Sequence, residues 1–320
     1  MQIAFIGIGG IAGNYRRVLA SLRRPVAAVC DVDPRVAQRV AEEEKASAFH
    51  DHRRMLADVA PDVVFVCLPP GEHTTQVADA AALGAAIFVA KPVALNPGVA
   101  IRTRDMITDA GVINQVGYHL RYSDPAVKAK QMLGDRRIAL GAGRYLFRMK
   151  AGHPWWGDAK KSGGQIVEQT TLVVDLLRHF LGEVDQVQAW GVRDVAAEPI
   201  ADFEEASVMN LFFASGAVGA IASACTAPAE EGASVELVGD DVYLKITETK
   251  LTGSVDGQPV EVEGVERGYF RQIKRFLEAV EMHDQSLVLC DYADAVKTLA
   301  VTLAANLSMR NGHPVQVRQG

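Results

Sequence analysis

A glycine-rich turn near the amino terminus constrains the fold of this chain more than any other feature. Residues 2–7 (QIAFIG) are almost entirely apolar and predict a short buried strand. The turn that follows, Gly7-Ile8-Gly9-Gly10-Ile11-Ala12, has the G-x-G-x-x-G/A spacing of a dinucleotide-binding turn. Its first glycine permits the bend, its second admits a pyrophosphate against the backbone, and its small last residue lets a helix pack on the strand.

The residues after the turn complete a strand–helix–strand unit. Apolar residues recur at helical spacing on one face of the intervening segment: Ile11, Tyr15, Val18, Leu19 and Leu22.

A second strand at 26–30 then leads to Asp31, where an acid hydrogen-bonds ribose hydroxyls and disfavours the extra phosphate of NADP. NAD is therefore the expected cofactor, with NADP left open because Arg35 lies nearby. The alternative is a glycine-rich turn of another α/β protein with Asp31 as a loop acid.

The length of 320 residues and the order of predicted strands and helices indicate two domains. Strands alternate with helices as far as Gly117, which predicts a doubly wound parallel sheet in an NAD(P)-binding Rossmann domain at 1–118. A different pattern follows, and it predicts an α/β domain at 119–320 that binds substrate and mediates oligomerisation. We expect its mixed, largely antiparallel sheet to contain strands near 137–149, 184–193, 204–213, 216–225, 233–239 and 241–247. We expect its helices to cover 124–133, 163–181, 267–282 and 291–310.

Composition excludes several classes of function. The net charge of −6 and the pI near 5.8 argue against nucleic acid or an anionic membrane as a partner. The sequence contains no run of 18 apolar residues, so it predicts no membrane-spanning helix. The four cysteines are widely spaced without a C-x-x-C pair, and His50 and His52 lack companions at metal-ligand spacing. We expect a cytoplasmic protein with free thiols and no metal site.

Ligands of open α/β sheets bind beyond the carboxyl ends of the strands. Lys91 ends a predicted strand at the point where nicotinamide and substrate should meet, and we expect it to hold a substrate oxygen or exchange its proton; the alternative is a solvated surface lysine. Pro92 restricts Lys91 to an extended backbone and permits a cis peptide bond.

His73 is expected to cap a helix or touch the cofactor. The predicted cofactor contacts are Gly7, Gly9, Gly10, Ile11, Ala12, Asp31, Leu68, Pro69, His73 and Lys91.

The second domain supplies the other candidates. Glu168 lies in the first turns of the predicted helix 163–181, where the helix dipole favours a carboxylate, so its alternative reading is a structural helix-start acid. His153 precedes a pair of tryptophans in a loop, and the flat rings are candidates for stacking on a sugar. The predicted catalytic residues are Lys91, Glu168 and His153, and the predicted substrate contacts are Lys91, Tyr118, Arg121, Trp155, Trp156, Glu168 and Leu172.

These motifs resemble the glucose–fructose oxidoreductase/inositol dehydrogenase (Gfo/Idh/MocA) family over essentially the whole chain. The matching segments are GIGGIA at 7–12, CDVDP at 30–34, PDVVFVCLPPGEH at 61–73, AKP at 90–92 and SGGQIVEQTTLVVDLLRHFLGE at 162–183. The resemblance implies a Rossmann domain, a mixed α/β domain whose sheet often forms the dimer interface, and a dehydrogenase of sugars or cyclitols. It also implies that Lys91 is the catalytic or orienting lysine.

Two positions depart from the family pattern. Ala90 stands where the family usually has a glutamate before the lysine. The helix usually carries Asp and, four residues later, His as its acid/base pair, whereas this chain has Glu168 and Leu172. Leucine cannot accept a proton, so the family mechanism does not transfer directly. Glu168 or His153 is the expected substitute.

The sequence therefore predicts an NAD(P)-dependent oxidoreductase that transfers hydride between nicotinamide and a secondary alcohol or ketone of a sugar, cyclitol or related polyol. We expect a homodimer or homotetramer through the second sheet. Two alternatives stay open: a redox-assisted glycosidase or lyase that regenerates its NAD, and a non-catalytic nucleotide- or sugar-binding regulator, which Leu172 favours.

Overall fold

The computed structural model describes residues 1–150, 155–229 and 231–318. The described residues form two compact units, the first from Met1–Tyr118 with Tyr269–Val296 and the second from the described parts of His119–Gly268 and Lys297–Gly320. The sequence pattern assigns residues 269–296 to the second domain, whereas the structure groups them with the first unit. The reason is packing, because Ile273, Phe276 and Leu277 are buried in the core of the first unit.

The first unit contains the predicted parallel sheet. In the described residues it has six strands in the order β3-β2-β1-β4-β5-β6, and every neighbouring pair is parallel. The prediction of a doubly wound Rossmann sheet is confirmed. Its elements are β1 Ile3–Ile6, α1 Gly10–Ser21, β2 Val26–Cys30, α2 Pro34–Glu44, β3 Ser47–Phe49, α3 His52–Val59, β4 Val63–Val66, α4 Gln76–Ala82, β5 Ala86–Val89, α5 Pro97–Ala110 and β6 Asn114–Val116.

A ladder of aromatic rings crosses the three central strands of this sheet. Phe5, Phe65 and Phe88 occupy matching register positions on β1, β4 and β5, with ring centroids 4.8 and 4.9 Å apart. Phe276 packs edge-on against two of these rings, at 6.0 and 5.4 Å. Each aromatic pair stabilises the fold by about 0.5–1.5 kcal/mol beyond the area it buries. The ladder therefore fixes the three strands whose carboxyl ends carry most of the predicted cofactor site.

The second unit contains the predicted mixed sheet. In the described part of the chain it has nine strands in the order β14-β13-β12-β11-β7-β10-β9-β8-β15, with β7 and β10 parallel and the other pairs antiparallel. The strands β13, β14 and β15 were not predicted; β15 has only two residues, and β14 is rich in exposed polar residues. The remaining elements of the chain are α6 Asp124–Leu133, β7 Ile138–Leu146, α7 Ala159–Ser162, α8 Thr171–Leu181, β8 Val184–Val192, β9 Ala206–Phe213, β10 Val218–Ala224, β11 Gly232–Gly239, β12 Val242–Thr247, β13 Lys250–Val255, β14 Gln258–Glu263, α9 Gly268–Met282, α10 Tyr292–Asn311 and β15 Val315–Gln316.

The prediction of one regular helix over residues 163–181 is wrong for the first residues of that segment. Gly163 and Gly164 have φ of +80° and +84°, a left-handed conformation that ends α7 after four residues. A π-helical turn then covers Ile166–Thr170 and leads directly into α8. The predicted catalytic candidate Glu168 therefore lies in a π turn, a feature that often marks functional sites.

The two faces of the second sheet differ sharply. One face lies under α8, and a Cβ added to Gly143 would come within 2.3 Å of the Val173 side chain, so glycine permits this close packing. The opposite face carries large apolar side chains that are about 40–50% exposed. They are Leu140, Trp190, Val208, Phe212, Val218 and Tyr243.

Candidate functional site

The glycine turn has the geometry that a dinucleotide requires. Gly7 has a φ of +80°, and a Cβ there would lie 2.6 Å from the Cys67 carbonyl oxygen, so only glycine fits. At Gly9 and Gly10 an added Cβ would meet nothing within 4 Å, which leaves open space over the turn. Helix α1 begins at Gly10 without a side-chain cap, so its first N–H groups face that space and suit an anion. Ala12 is fully buried, and Ile11 packs against the same core.

The Asp31 carboxylate is hydrogen-bonded to the backbone of this turn. The Ile8 N–H donates to Asp31 Oδ2 at 3.1 Å, and the Asp33 N–H donates to Asp31 Oδ1 at 3.0 Å. Because each carboxylate oxygen accepts more than one bond, both oxygens can still accept from ribose hydroxyls. Arg35, which left NADP open, pairs with Asp33 at 3.3 Å, and its hydrogen bonds lower the pKa of Asp33. The turn and Asp31 together fit NAD.

The segment after β4 contributes Leu68, Pro69 and His73. Leu68 lies against the turn, with its Cδ2 atom 2.8 Å from the place of a Cβ on Gly7. His73 is only 6% exposed, and burial lowers its pKa to about 4 although the Leu68 backbone acts in the opposite direction. The imidazole is therefore neutral at pH 7. It does not cap α4, whose N-cap residue is Thr75, so that part of the prediction is wrong; cofactor contact stays a prediction.

Lys91 lies just past the carboxyl end of β5. Its peptide bond to Pro92 is cis, as the sequence allowed, and the neighbouring Ala90, Val93 and Ala94 are at most 3% exposed. The lysine backbone is thus set in an apolar framework, while its side chain is partly buried. Tyr118, at the end of the β6 segment, is fully buried in the same unit.

In the second unit, Glu168 and its neighbour Gln169 are 7% and 8% exposed. The Gln169 amide nitrogen donates a hydrogen bond to Glu168 Oε2. Leu172, in the first turn of α8, is 6% exposed. Gln169 was not among the predicted site residues; its adjacency to Glu168 was visible in the sequence, but the hydrogen bond between the two side chains was not.

Arg121 is held by a buried ion pair. Its Nε and Nη2 atoms donate to the two carboxylate oxygens of Asp175 at 2.7 and 2.6 Å, and the two side chains are 4% and 1% exposed. The Thr298 hydroxyl donates to the same carboxylate at 3.0 Å. This geometry gives Arg121 a structural partner, and its predicted substrate contact stays a prediction.

The tryptophan pair lies beside a small apolar cluster formed by Phe147, Met149, Phe203 and Cys225. Trp156 packs edge-to-face on Phe147 with ring centroids 6.5 Å apart, and Trp155 packs edge-to-face on Trp156 at 6.0 Å. Trp156 is therefore a packing residue that supports Trp155. Substrate contact by either ring stays a prediction, and His153 lies outside the described residues.

None of the helices in the described ranges combines the length and the apolar character needed to cross a membrane. The four cysteines are buried, and no two of them form a disulfide. Burial raises the pKa of Cys30 to about 12 and that of Cys225 to about 11. These two thiols are therefore protonated at pH 7.

Comparison with known proteins decides the family. Residues 1–118 match the model described as "Oxidoreductase family, NAD-binding Rossmann fold", and residues 129–245 match the GFO/IDH/MocA C-terminal domain. The chain belongs to the Gfo/Idh/MocA family. As a family member it is an NAD-binding oxidoreductase.

Individual relatives of this Gfo/Idh/MocA chain cover its full length. The scyllo-inositol 2-dehydrogenase (NAD(+)) of Bacillus subtilis is 27% identical, over 99% of this chain and 96% of that protein. The D-xylose 1-dehydrogenase (NADP(+)) 2 of Haloferax volcanii is 24% identical, over 99% and 100%. The solved structure of levoglucosan dehydrogenase in complex with NADH superposes with a TM-score of 0.90 at 19% identity and covers 100% of both chains. At that identity the structural match shows the fold.

Proposed function

We propose that this oxidoreductase transfers a hydride between NAD and the secondary alcohol or ketone carbon of a sugar, cyclitol or related polyol. One observation carries the proposal: the glycine turn, Asp31 and Lys91 follow the carboxyl ends of β1, β2 and β5 in one parallel sheet. Ligands of such sheets bind at that edge. The substrate class is supported by the full-length relatives, whose names identify an inositol and a pentose as substrates.

The proposed roles follow from the chemistry of each side chain. The glycine turn and Asp31 would hold NAD, which would supply a hydride acceptor for oxidation and, in its reduced form, a hydride donor for reduction. The Lys91 ammonium donates a hydrogen bond to the reacting oxygen and stabilises the negative charge that develops on it. Glu168 takes the hydroxyl proton during oxidation and returns it during reduction, because Leu172 has no group that could do so. Trp155 offers an aromatic ring on which a sugar ring can stack.

We expect the Glu168→Gln variant to lose turnover by about 10²-fold or more, since general acid–base catalysis contributes about 10²–10⁴-fold. The amide has the same size but cannot accept the proton. Turnover is measured as NADH absorbance, and NADH binding, measured by fluorescence titration, should be unchanged. Glu263→Gln is the matched control, because the Glu263 side chain is 68% exposed on the edge strand β14. Full turnover by Glu168→Gln would exclude Glu168 as the base.

We also propose that the open face of the second sheet forms a homodimer interface. Its apolar residues are cross-strand neighbours: Trp190 pairs with Val208, and Phe212 pairs with Val218, which in turn pairs with Leu140. Contiguous exposed apolar surface of this kind is rare on monomers and marks interaction sites. A homotetramer would need a further interface.

The interface is tested by light scattering after gel filtration. The unchanged protein should have twice the 34.4 kDa chain mass, or a higher multiple, and Phe212→Glu should shift it toward 34.4 kDa because a charge is desolvated at the interface. Val265→Glu is the control, since Val265 is 95% exposed outside this patch. A monomeric unchanged protein would contradict the interface.

A further inference from the structure

The contact between Glu168 and Gln169 is unusual for neighbouring residues on a helix. In a regular α-helix successive side chains point about 100° apart, and residues at i and i+1 do not face each other. Here the two side chains meet, and they do so inside the π turn Ile166–Thr170. The hydrogen bond between these two polar side chains therefore lies inside the π turn.

Burial makes this hydrogen bond important for the ionisation of Glu168. Both side chains are more than nine-tenths buried, and an ionised carboxylate loses much of its hydration there. A hydrogen bond donated to the charged form compensates for that loss and favours ionisation. Leu172, one turn further, is buried and offers no hydrogen bond.

Other charged groups lie on the elements that pack against this helical segment. Arg144 lies on β7, Glu236 lies on β11, and His119 and Arg121 lie on the short 3-10 helix His119–Tyr122. Arg121 pairs with Asp175, and Glu236 lies 3.7 Å from Lys245. Any test of Glu168 must hold these groups constant, which a substitution at Gln169 does.

We propose that Gln169 is the positioning residue for Glu168: its amide holds the carboxylate ionised and oriented as the proton acceptor. The inference rests on the proposed function only for the catalytic use of that carboxylate. The amide–carboxylate contact itself can be tested without a known substrate.

The test is a carbon-13 NMR titration of glutamate side-chain carboxyls, with the Glu168 signal assigned by its loss in Glu168→Gln. In Gln169→Leu we expect the pKa of Glu168 to rise by about one pH unit or more, because the donor to the charged form is gone. Gln165→Leu is the matched control. Gln165 is 3% exposed and lies just before the π turn, but its amide oxygen accepts from Ser223 at 3.4 Å rather than contacting Glu168.

A second variant protects the test against loss of folding. Gln169→Glu keeps the shape of the side chain but places a second negative charge beside Glu168, so the pKa of Glu168 should rise further than in Gln169→Leu. An unchanged Glu168 titration in either folded variant, or an equal rise in Gln165→Leu, would overturn the inference.

The two proposals fail separately. If Gln169→Leu raises the pKa but Glu168→Gln keeps full turnover, the positioning contact stands and the catalytic role of Glu168 falls. If Glu168→Gln is inactive while Gln169→Leu titrates like the unchanged protein, the catalytic role stands and Gln169 is not its positioning residue. With both correct, the acidic limb of the kcat/KM profile moves to higher pH in Gln169→Leu.

Discussion

Replacing Lys91 with methionine is expected to lower turnover by about 10³-fold while NADH binding is retained, a loss within the range for a positioned proton-transfer or charge-stabilising group. Methionine keeps the apolar stem but has neither the charge nor the N–H donors. Lys91 follows the carboxyl end of β5, and its backbone lies among Ala90, Val93 and Ala94, which are almost fully buried. A flexible surface lysine would lack this framework.

The Lys91 prediction is measured as kcat from NADH absorbance, beside an NADH fluorescence titration. Lys274→Met is the control, because Lys274 is an exposed lysine on α9 in the same unit. Turnover of Lys91→Met within about threefold of the unchanged protein, well below the smallest contribution expected of such a group, would remove the lysine from the mechanism.

Replacing Arg121 with methionine is expected to lower the free energy of unfolding of the second unit by about 3–5 kcal/mol, because the buried Asp175 carboxylate loses its cationic partner and both hydrogen bonds from it. Asp175 is 1% exposed and accepts two bonds from Arg121. The three tryptophans of the chain, at positions 155, 156 and 190, all belong to the second unit. Urea unfolding followed by tryptophan fluorescence therefore reports on the unit that carries the pair.

An exposed arginine–aspartate pair that also has two hydrogen bonds provides the control. Arg136 donates to both carboxylate oxygens of Asp256 at 3.0 and 2.6 Å, but these side chains are 41% and 56% exposed. Arg136→Met should cost only about 0–1 kcal/mol, as is usual for surface pairs. Adding Asp175→Leu to Arg121→Met should recover much of the loss, since the uncompensated charge is removed. Equal losses in the two single arginine variants would contradict the buried-pair interpretation.

The first sheet could be predicted from sequence because its strands are continuous apolar runs. Residues 63–66 and 86–89 are buried on both faces, as parallel strands between helices are, and the glycine turn marks where the first strand ends. The position of Tyr269–Val296 could not be predicted. Its place depends on Phe276 packing against rings near the other end of the chain, and helical periodicity does not identify such a partner.

The side-chain pairs of the second unit could not be predicted from the sequence either. Arg121 and Asp175 are 54 residues apart, and nothing in the sequence identifies them as partners; Arg121 was predicted only as a substrate contact. The helical spacing of apolar residues at 166–180 predicts a regular helix, and nothing in that spacing signals a π turn. The contact between Glu168 and Gln169 therefore became visible only in three dimensions.

The central claim is tested most directly by NADH formation or consumption with a panel of sugars, cyclitols and their keto forms, with Leu172→His assayed beside the unchanged protein. We expect turnover of at least one polyol or its ketone by the unchanged protein, which would show that the site works with leucine at position 172. No NADH formation or consumption by the unchanged protein, together with turnover by Leu172→His, would contradict the proposed dehydrogenase activity and indicate a binding role. Glycoside cleavage without net NADH would contradict it in favour of the redox-assisted glycosidase.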